Sequence, residues 1–351
     1  MIKSILILLI IITFSKVSYA SEDVLEDANL YTVKFRTSVD RPFREDKNAG
    51  LRKGSGFLIN KDKGLILTNA HITARSKSKV RVAFKNYGFS PVKQVYVDPR
   101  IDIAIVQIDP KLIPKEAKEA KLKCDGKVPS GTSVAAFGHP KGLSFSASRG
   151  IVSKYRFLYG KDVIQTDTAI NKGNSGGPLI DMKTGLVIGV NKSSFTKSTG
   201  LSFAVPSKNV CIILDLFNKG KNPSPIKLPI RFAEDREAED YLKVGSFYHK
   251  GKNIEIGSSL IAVNDTQIKT PSELDFFLRG KTGVAKLTFK NGSSTKTYTI
   301  TINPEEKMLD RKYLYLSGAI VSRDPRTMYD EKEKPFLIHS VVDGTEAELA
   351  G

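Results

Sequence analysis

A serine held between glycines is the most chemically informative feature of this 351-residue chain. Residues 167–179 read Asp-Thr-Ala-Ile-Asn-Lys-Gly-Asn-Ser-Gly-Gly-Pro-Leu, with Ser175 near the centre. Glycines allow a tight turn behind the hydroxyl, and the amides of Gly173, Asn174 and Ser175 can converge there as an oxyanion hole. Because a serine hydroxyl alone is a weak nucleophile, this chemistry also requires a histidine base and an acid that orients it.

The base must come from four histidines: His71, His139, His249 and His339. A lone histidine is usually structural, but the presence of Ser175 favours a catalytic role for one of them. Residues 64–70, Gly-Leu-Ile-Leu-Thr-Asn-Ala, predict a buried strand that delivers His71 at its end. A base at that position is both rigid and accessible, so we predict that His71 is the base.

The acid should lie beside a short apolar segment, because partial burial helps it to hold one imidazole tautomer. Asp98, Asp102 and Asp109 surround the apolar run 103–106. Asp98 and Asp109 each precede a proline, which is typical of turns. Asp102 opens the apolar run directly and is the predicted acid.

An alternative for the serine is the nucleophile elbow of α/β-hydrolases, since residues 173–177 also fit Gly-x-Ser-x-Gly. That motif needs a helix directly after the serine and places the acid and the histidine later in the chain. Here Pro178 and a turn at Gly185 separate two short apolar runs, which predicts a hairpin. The predicted partners also precede Ser175, so the elbow is rejected.

The order His71, Asp102, Ser175 is that of chymotrypsin-like proteases. The blocks Thr-Asn-Ala-His, Asp-Ile-Ala-Ile-Val and Gly-Asn-Ser-Gly-Gly-Pro-Leu closely resemble the HtrA (Deg) family of extracytoplasmic serine proteases. Further blocks match in the same order, at residues 136–143, 148–152, 164–167 and 201–207. The resemblance covers residues 30 to 215.

The fold expected for this region is all-β, because short β-type runs alternate with Gly, Pro and Asn turns. The resemblance implies a chymotrypsin-like protease domain of two six-stranded β-barrels with the active site in the cleft between them. The first barrel would carry His71 and Asp102, and the second Ser175. Residues 207–218 predict a closing helix capped by Ser207.

The rest of the chain resembles PDZ modules. Apolar residues at 254–265, a helix-like run at 270–278 and strands joined by Asn291-Gly292 are similar to an α+β PDZ domain, which adds a peptide to its sheet edge. It is atypical, because Gly-Ser replaces the usual Gly-Asp and the segment before it is short. Binding of C-terminal peptides and a purely structural or inter-subunit role therefore both stay open.

Residues 317–321 and 336–351 resemble the opening of a second, partial PDZ-like segment, either truncated or degenerate. Such an unfinished sheet is expected to be loosely ordered or paired with another subunit. The predicted divisions are a signal peptide (1–20), the protease domain (21–218), a linker (219–235), an atypical PDZ-like domain (236–303) and a partial second segment (304–351).

Export is indicated by the first twenty residues, which have a basic start, an apolar core and small residues before Ala20. They predict a signal peptide cleaved after Ala20, with an uncleaved anchor as the alternative, and a periplasmic or extracellular protein. That compartment permits a disulfide. The spacing of Cys124 and Cys211 gives no evidence that they meet, and Cys211 is expected to pack in the core.

The formal net charge of +18 argues little about partners, because lysines are spread along the chain and interleaved with acids. A solvated surface is expected, with peripheral contact to an anionic membrane as the alternative and no nucleic-acid partner. No cluster of cysteine, histidine and carboxylate residues suggests a metal, and no cofactor is expected.

The resemblance implies a mechanism in which Ser175 attacks the scissile carbonyl, His71 takes its proton and Asp102 orients the imidazole. Gly173 and Asn174 would belong to the oxyanion hole. In this fold the S1 pocket is lined by the residue about five before the serine and by the strand after the hairpin. The predicted substrate-binding residues are therefore Ile170, Val190 and Asn191. They include no acid, so small aliphatic P1 residues are expected.

Unfolded or misfolded proteins are the substrates that such a pocket favours, because small aliphatic residues are usually buried in folded proteins. Family members commonly trimerise through aromatics near the mature N-terminus, and Tyr31 and Phe35 are candidates for contacts in a homotrimer. As alternating residues of a strand, both are equally candidates for the core. The loop 41–53 is short, so regulation through it is not expected. Two other functions stay open, a chaperone-like binding protein with a resting triad and a secreted digestive or virulence protease.

Overall fold

The computed structural model describes residues 23–43, 46, 48–139, 145–158, 160–192, 201–233, 242–247, 254–323, 336–341 and 345–349. The predicted signal peptide and His249 lie outside these residues. Within them, no helix is long and apolar enough to cross a membrane.

The first barrel is a closed antiparallel sheet with the strand order β1-β2-β3-β6-β5-β4, preceded by a helix (α1) over residues 23–31. In β1, Val33, Phe35, Thr37 and Val39 are buried and alternate with more exposed residues, as expected for a strand with one face on the core. The strands are β1 (Thr32–Val39), β2 (Gly50–Asn60), β3 (Leu65–Thr68), β4 (Lys79–Ala83), β5 (Ser90–Asp98) and β6 (Ile103–Gln107).

The second barrel is also closed and six-stranded, in the order β10-β11-β12-β9-β8-β7. Its β10–β11 hairpin follows Ser175 directly, which agrees with the rejection of a nucleophile elbow. Two chymotrypsin-like barrels are therefore confirmed. The strands are β7 (Ser133–Gly138), β8 (Ser146–Leu158), β9 (Lys161–Thr166), β10 (Pro178–Asp181), β11 (Val187–Lys192) and β12 (Ser202–Pro206).

A helix, α3 (Ser207–Asn218), closes the second barrel, but its predicted cap is wrong. Pro206 occupies the cap position, and Ser207 is the first helical residue. The Ser207 hydroxyl donates instead to the carbonyl oxygen of Val187 at 2.8 Å, which binds the helix to β11.

Cys124 and Cys211 form a disulfide, which corrects the expectation that Cys211 only packs in the core. The chain between the barrels lies along β11, where the Lys123 amide donates to the Val187 carbonyl at 2.9 Å. Because Ser207 donates to that same carbonyl, the connection and α3 meet there and the two Cα atoms lie 5.7 Å apart. Because the two cysteines are brought together by β11, which contacts both segments, their spacing in the sequence could not predict the pairing.

The described residues between 219 and 303 form a two-stranded sheet, a four-stranded sheet in the order β16-β15-β17-β18 and the helix α4, all consistent with a PDZ-like fold. It has its own apolar core, which includes Ile230, Leu274 and Leu287. The helix is capped by the Thr270 hydroxyl, which accepts from the Glu273 amide at 3.1 Å. The elements are β13 (Ile230–Phe232), β14 (Val244–Phe247), β15 (Ser259–Val263), β16 (Thr266–Gln267), α4 (Pro271–Leu278), β17 (Gly283–Asn291) and β18 (Ser294–Ile302).

The last described residues form a three-stranded sheet with a short helix after it. One face packs on the first barrel, where the Phe43 ring lies 4.5 Å from that of His339 and 5.6 Å from that of Tyr313. His339 is thus a buried structural residue. The elements are β19 (Tyr313–Leu316), β20 (Ala319–Arg323), β21 (Phe336–Val341) and α5 (Glu346–Leu349).

Candidate active site

His71 lies in a single helical turn, α2 (Ala70–Thr73), directly after β3. The sequence predicted that His71 stands at the end of a strand, whereas the structure places it in this helical turn. Its start is held by Asp102, whose carbonyl oxygen accepts from the Ala70 amide at 3.2 Å and the Asn69 side chain at 3.0 Å. The His71 side chain is 34% exposed, so a substrate can reach it.

Asp102 follows β5 in the turn that leads into β6 and has a left-handed φ of 66°. Its side chain is 4% exposed and uses both oxygens on His71. Oδ1 accepts from the His71 amide at 3.0 Å, and Oδ2 accepts from Nδ1 at 2.9 Å. Nδ1 therefore carries a proton in this pair, which leaves Nε2 as the basic nitrogen of neutral His71.

The carboxyl group of Asp102 is held ionised. Burial opposes ionisation, but the charges of His71, Lys192 and Arg75 together with the His71 hydrogen bond keep the pKa of Asp102 well below its usual range. A carboxylate that is ionised and fixed by two hydrogen bonds can orient an imidazole and support its positive charge.

Ser175 is buried in a loop that packs against β2 and β3 of the first barrel. Its carbonyl oxygen accepts from the Ser55 amide at 2.8 Å. Gly176 has a φ of +85°, and a Cβ there would collide with the carbonyl of Ser55 and the hydroxyl of Thr68. The glycine is required by this close approach, which seats the serine loop against residues 68–69, just before His71.

The predicted oxyanion residues differ in how their amides are used. The Asn174 amide donates to the Asn171 carbonyl at 3.0 Å and so helps to close the turn. No hydrogen bond of the Gly173 amide lies within the described part of the chain, and Gly173 has a φ of 113°. Gly173 is the better candidate donor of the two, and its role stays a prediction.

A polar group beneath this loop was missed by sequence reasoning. The Ser55 hydroxyl donates to the Gly173 carbonyl at 2.6 Å and lies 2.9 Å from Nδ1 of His139. The His139 amide also donates to that hydroxyl, at 3.1 Å. Burial and then the charge of Lys34 lower the pKa of His139 to about 3, so it stays neutral. Because Ser55 donates to Gly173, His139 Nδ1 is the donor toward Ser55.

The predicted S1 residues are all buried. Asn191 lies between the serine loop and β10, where its side chain donates to the Pro178 carbonyl at 2.9 Å and its carbonyl accepts from the Gly176 amide at 2.8 Å. Val190 and Ile170 belong to the apolar cores. Asn191 thus closes the serine loop onto β11, and a substrate contact by any of these residues stays a prediction.

Asp46 and Arg52 support His71, which the sequence did not indicate. The sequence assigned both to the loop 41–53, whereas Arg52 lies in β2. Arg52 donates to the His71 carbonyl at 3.0 Å and to the Asp46 carboxylate at 3.3 Å. Asp46 also accepts from the amides of Arg75 at 2.8 Å and Ser76 at 3.0 Å. These bonds fix the backbone on both sides of the imidazole.

The two rejected acids have other partners. Asp109 accepts from the Lys111 amide at 3.0 Å at the start of a short 3-10 turn, as expected for a turn residue. Asp98 accepts from the Arg100 amide at 2.9 Å, which also fits a turn. In addition, Asp98 forms a fully buried ion pair with Arg279, which the sequence did not suggest.

A cavity of about 400 Å³ lies between β13 and α4 in the PDZ-like region. Apolar residues of both elements line it, and arginines stand among its lining residues. The lining residues are Ile226, Leu228, Ile230, Phe232, Pro271, Leu274, Leu278, Arg100, Lys227, Arg231, Arg311, Asp275 and Glu305.

Comparison with known proteins supports the same assignment. Residues 54–190 match the family described as Trypsin-like peptidase domain. A "Probable periplasmic serine endoprotease DegP-like" of Pseudomonas putida is 39% identical over 180 residues, which cover 49% of this chain and 36% of that protein. "Serine protease HTRA1A" of Danio rerio is 38% identical over 172 residues, covering 47% and 34%. The chain thus spans about a third of the length of these curated relatives.

Solved structures share the fold over a longer range. "HtrA-type protease AlgW with tripeptide" superimposes with a TM-score of 0.65 at 22% identity, covering 81% of this chain and 96% of that chain. A serine endoprotease from Yersinia pestis gives 0.62 at 23% identity, with coverages of 82% and 98%.

The two barrels and the His–Asp pair beside a glycine-rich serine loop, together with the matched region, define a trypsin-like serine peptidase domain. The relatives narrow this class further. The chain is similar to DegP-like and HtrA serine proteases, which is the resemblance that its motifs indicated.

Proposed function

We propose that this protein is an exported serine endopeptidase of the HtrA/Deg type that degrades misfolded or unfolded proteins. The observation that carries the proposal is the double hydrogen bond between His71 and the buried, ionised Asp102. This pair stands next to a serine loop whose glycine allows close packing on β2 and β3.

In the proposed reaction, His71 takes the proton of the Ser175 hydroxyl as the oxygen attacks the scissile carbonyl. Asp102 holds the imidazole and supports its positive charge. The amides of Gly173 and Ser175 stabilise the oxyanion. His71 then protonates the leaving amine, and it activates the water that hydrolyses the acyl-enzyme.

Substrate preference is proposed from the residues near the serine. Ile170, Val190 and Asn191 include no acid, which disfavours lysine or arginine at P1 and favours small aliphatic residues. Such residues become accessible when a protein unfolds. The cavity between β13 and α4 is the proposed site for C-terminal peptides, because apolar and basic side chains line it together. Its lining also includes Asp275 and Glu305, which each accept from Arg100 at 3.1 Å, so a peptide carboxylate would compete with them for that guanidinium group.

A periplasmic location is supported by the predicted signal peptide and by the relatives that are named periplasmic endoproteases. The candidate trimer residues Tyr31 and Phe35 are 5% and 2% exposed in a single chain. They belong to the first barrel's core, so a homotrimer would have to use other residues.

The test is incubation of the mature protein and its Ser175→Ala variant with unfolded casein, with cut sites mapped by mass spectrometry. Cuts after valine, alanine or similar residues are expected only with an intact Ser175. Equal cleavage by both forms, or none by either with C-terminal peptides added, would contradict the endopeptidase. The second outcome would favour the chaperone-like binding protein.

A further inference from the structure

Lys192 places an ammonium group on the carboxylate that orients His71. It is the last residue of β11, and its Nζ lies 3.3 Å from Oδ2 of Asp102. The Lys192 side chain is only 16% exposed. The same Oδ2 accepts from His71 Nδ1 at 2.9 Å. One carboxylate oxygen is therefore shared between the imidazole and a lysine of the other barrel.

The charged groups around Asp102 are mostly positive. Besides His71 and Lys192, Arg75 acts on its charge, and Arg75 lies 3.8 Å from the Asp46 carboxylate. Lys161, at the start of β9, is close enough to interact with Lys192, Asp102, Asp98 and Arg75. Burial and then Lys192 lower the pKa of Lys161 to about 8, although Asp102 and Asp98 oppose this.

We propose that Lys192 is a positioning residue that acts through Asp102 and sets the pH range and rate of the triad. This inference rests on the proposed function. As the serine attacks, the imidazole becomes positively charged and Asp102 supports that charge. An ammonium on the same oxygen opposes a second positive charge nearby, because like charges repel strongly in a poorly solvated site.

Two consequences follow from this sharing. The ammonium and the imidazole share Oδ2 of Asp102, so removal of the ammonium should move the acidic limb of activity to higher pH. The ammonium also disfavours the charged imidazole of the transition state, so the rate at optimal pH is reduced. Lys192 thus gives acid tolerance and lowers the maximal rate.

The variants are chosen to separate charge from packing. Lys192→Met keeps the length of the aliphatic side chain and removes the charge, and Lys192→Gln retains a hydrogen-bond donor in case the methionine variant folds poorly. Lys192→Arg keeps the charge. Lys161→Met is the matched control, since it removes a neighbouring lysine for which no ion pair with Asp102 occurs in the described residues.

The first measurement is kcat/KM for an unfolded protein substrate as a function of pH. For Lys192→Met and Lys192→Gln, the acidic limb should move up by about one pH unit, as expected when a charge near a titrating site is removed. The maximal rate should rise as well. Lys192→Arg should follow the native profile, and Lys161→Met should move less. Superimposable profiles for the native and methionine proteins would overturn the proposal.

The second measurement does not need activity. The Cε1–H resonance of His71, assigned with a His71→Asn variant, is followed by NMR as the pH is changed. It should titrate at a higher pH in Lys192→Met than in the native chain. This shift in a protein that cleaves nothing would support the role of Lys192 and contradict the endopeptidase. Identical titrations in a protein that does cleave casein would contradict the role of Lys192 alone.

Discussion

Two buried aspartates stand at the two ends of the turn between β5 and β6, and their partners differ. Asp98 faces Arg279 of the PDZ-like region, and both of these side chains are 0% exposed. Asp102 faces His71, which is 34% exposed. Both carboxyl groups have a lowered pKa because a cationic or hydrogen-bonding partner outweighs the effect of burial. Burial of the acid therefore does not separate a structural pair from a chemical one.

The Asp98 pair is closed on every side. Asp98 also accepts from the Tyr96 hydroxyl at 3.0 Å and the Ile101 amide at 3.1 Å. Arg279 donates to Asp275 at 2.7 Å and to the Pro223 carbonyl at 2.8 Å. A group that is fully bonded and sealed has no position for a substrate. It binds the end of α4 to the first barrel instead.

The comparison teaches that exposure of the partner marks the pair that can do chemistry. His71 can meet a substrate and change its charge, whereas Arg279 can do neither. The same turn carries both pairs, so the PDZ-like region is fixed four residues from the predicted catalytic acid. Substitutions in the Asp102 pair should therefore mainly lower activity, and substitutions in the Asp98 pair should mainly lower stability.

The largest expected effect is on activity, in Asp102→Asn. An asparagine that still accepts from the His71 amide through its oxygen turns its NH₂ toward Nδ1, which favours the tautomer with the proton on Nε2, and this change in a triad costs about 10⁴-fold in kcat. The measurement is kcat on a peptide cut from casein. Asp98→Asn is the matched control and should lose far less activity. Equal losses in the two variants would contradict the division of roles.

The largest expected effect on stability is in Arg279→Met, which leaves Asp98 buried without its cation. Breaking a buried pair in this way typically destabilises a protein by about 3–5 kcal/mol. Denaturant unfolding, followed by circular dichroism, measures the loss. The double variant Asp98→Asn with Arg279→Met should recover part of it, because a neutral amide needs no cation and its oxygen can still accept from the Arg100 and Ile101 amides. Failure of the double variant to recover would show that the pair is not the source.

How much of this arrangement the sequence could predict follows from the range of the interactions. Asp102 was predictable because its signal is local, an acid at the start of an apolar run. Asp98 was interpreted as a turn residue, and its turn bonds agree. Its partner Arg279 lies 181 residues away, in a region whose packing on the barrel leaves no periodic pattern.

In the candidate site, too, local features were predictable from the sequence and long-range contacts were not. The serine loop and the hairpin after it follow from glycine, proline and apolar spacing. Lys192 and Ser55 were missed because each acts across the two barrels, on Asp102 and on Gly173. Asn191 was assigned to the S1 pocket from family position, and its hydrogen bonds under the loop became visible only with the backbone in place.

A smaller effect is expected in the pH dependence of unfolding. A carboxyl group whose folded pKa is lowered adds stability above its unfolded value of about 3.9 and loses it as the pH falls through the folded value. The pKa of both Asp98 and Asp102 is lowered, so the free energy of unfolding should decline below pH values of about 4. In Arg279→Met the decline should be shallower, as urea unfolding at several pH values would reveal. An unchanged slope would mean that Arg279 is not what keeps Asp98 ionised.

The smallest expected effect concerns Ser55, a neutral contact that belongs to neither ion pair. Ser55→Ala removes the hydroxyl that accepts from His139 and donates to the Gly173 carbonyl. Loss of one such hydrogen bond corresponds to about 1 kcal/mol, or roughly fivefold in rate if it is felt in the transition state. Because the bond holds the loop of the predicted oxyanion hole, the loss should appear in kcat, with KM nearly unchanged.

His139→Asn is the companion to Ser55→Ala, since an asparagine amide can donate toward the Ser55 hydroxyl as Nδ1 does. It should keep most of the native kcat, whereas His139→Leu should behave like Ser55→Ala. The pKa of His139 is about 3, so neither substitution should alter the pH profile between pH values of about 5 and 8. A profile that changed in His139→Asn would mean that this imidazole titrates in the working range. His139 would then be a second proton-accepting group near the predicted triad and not a neutral support.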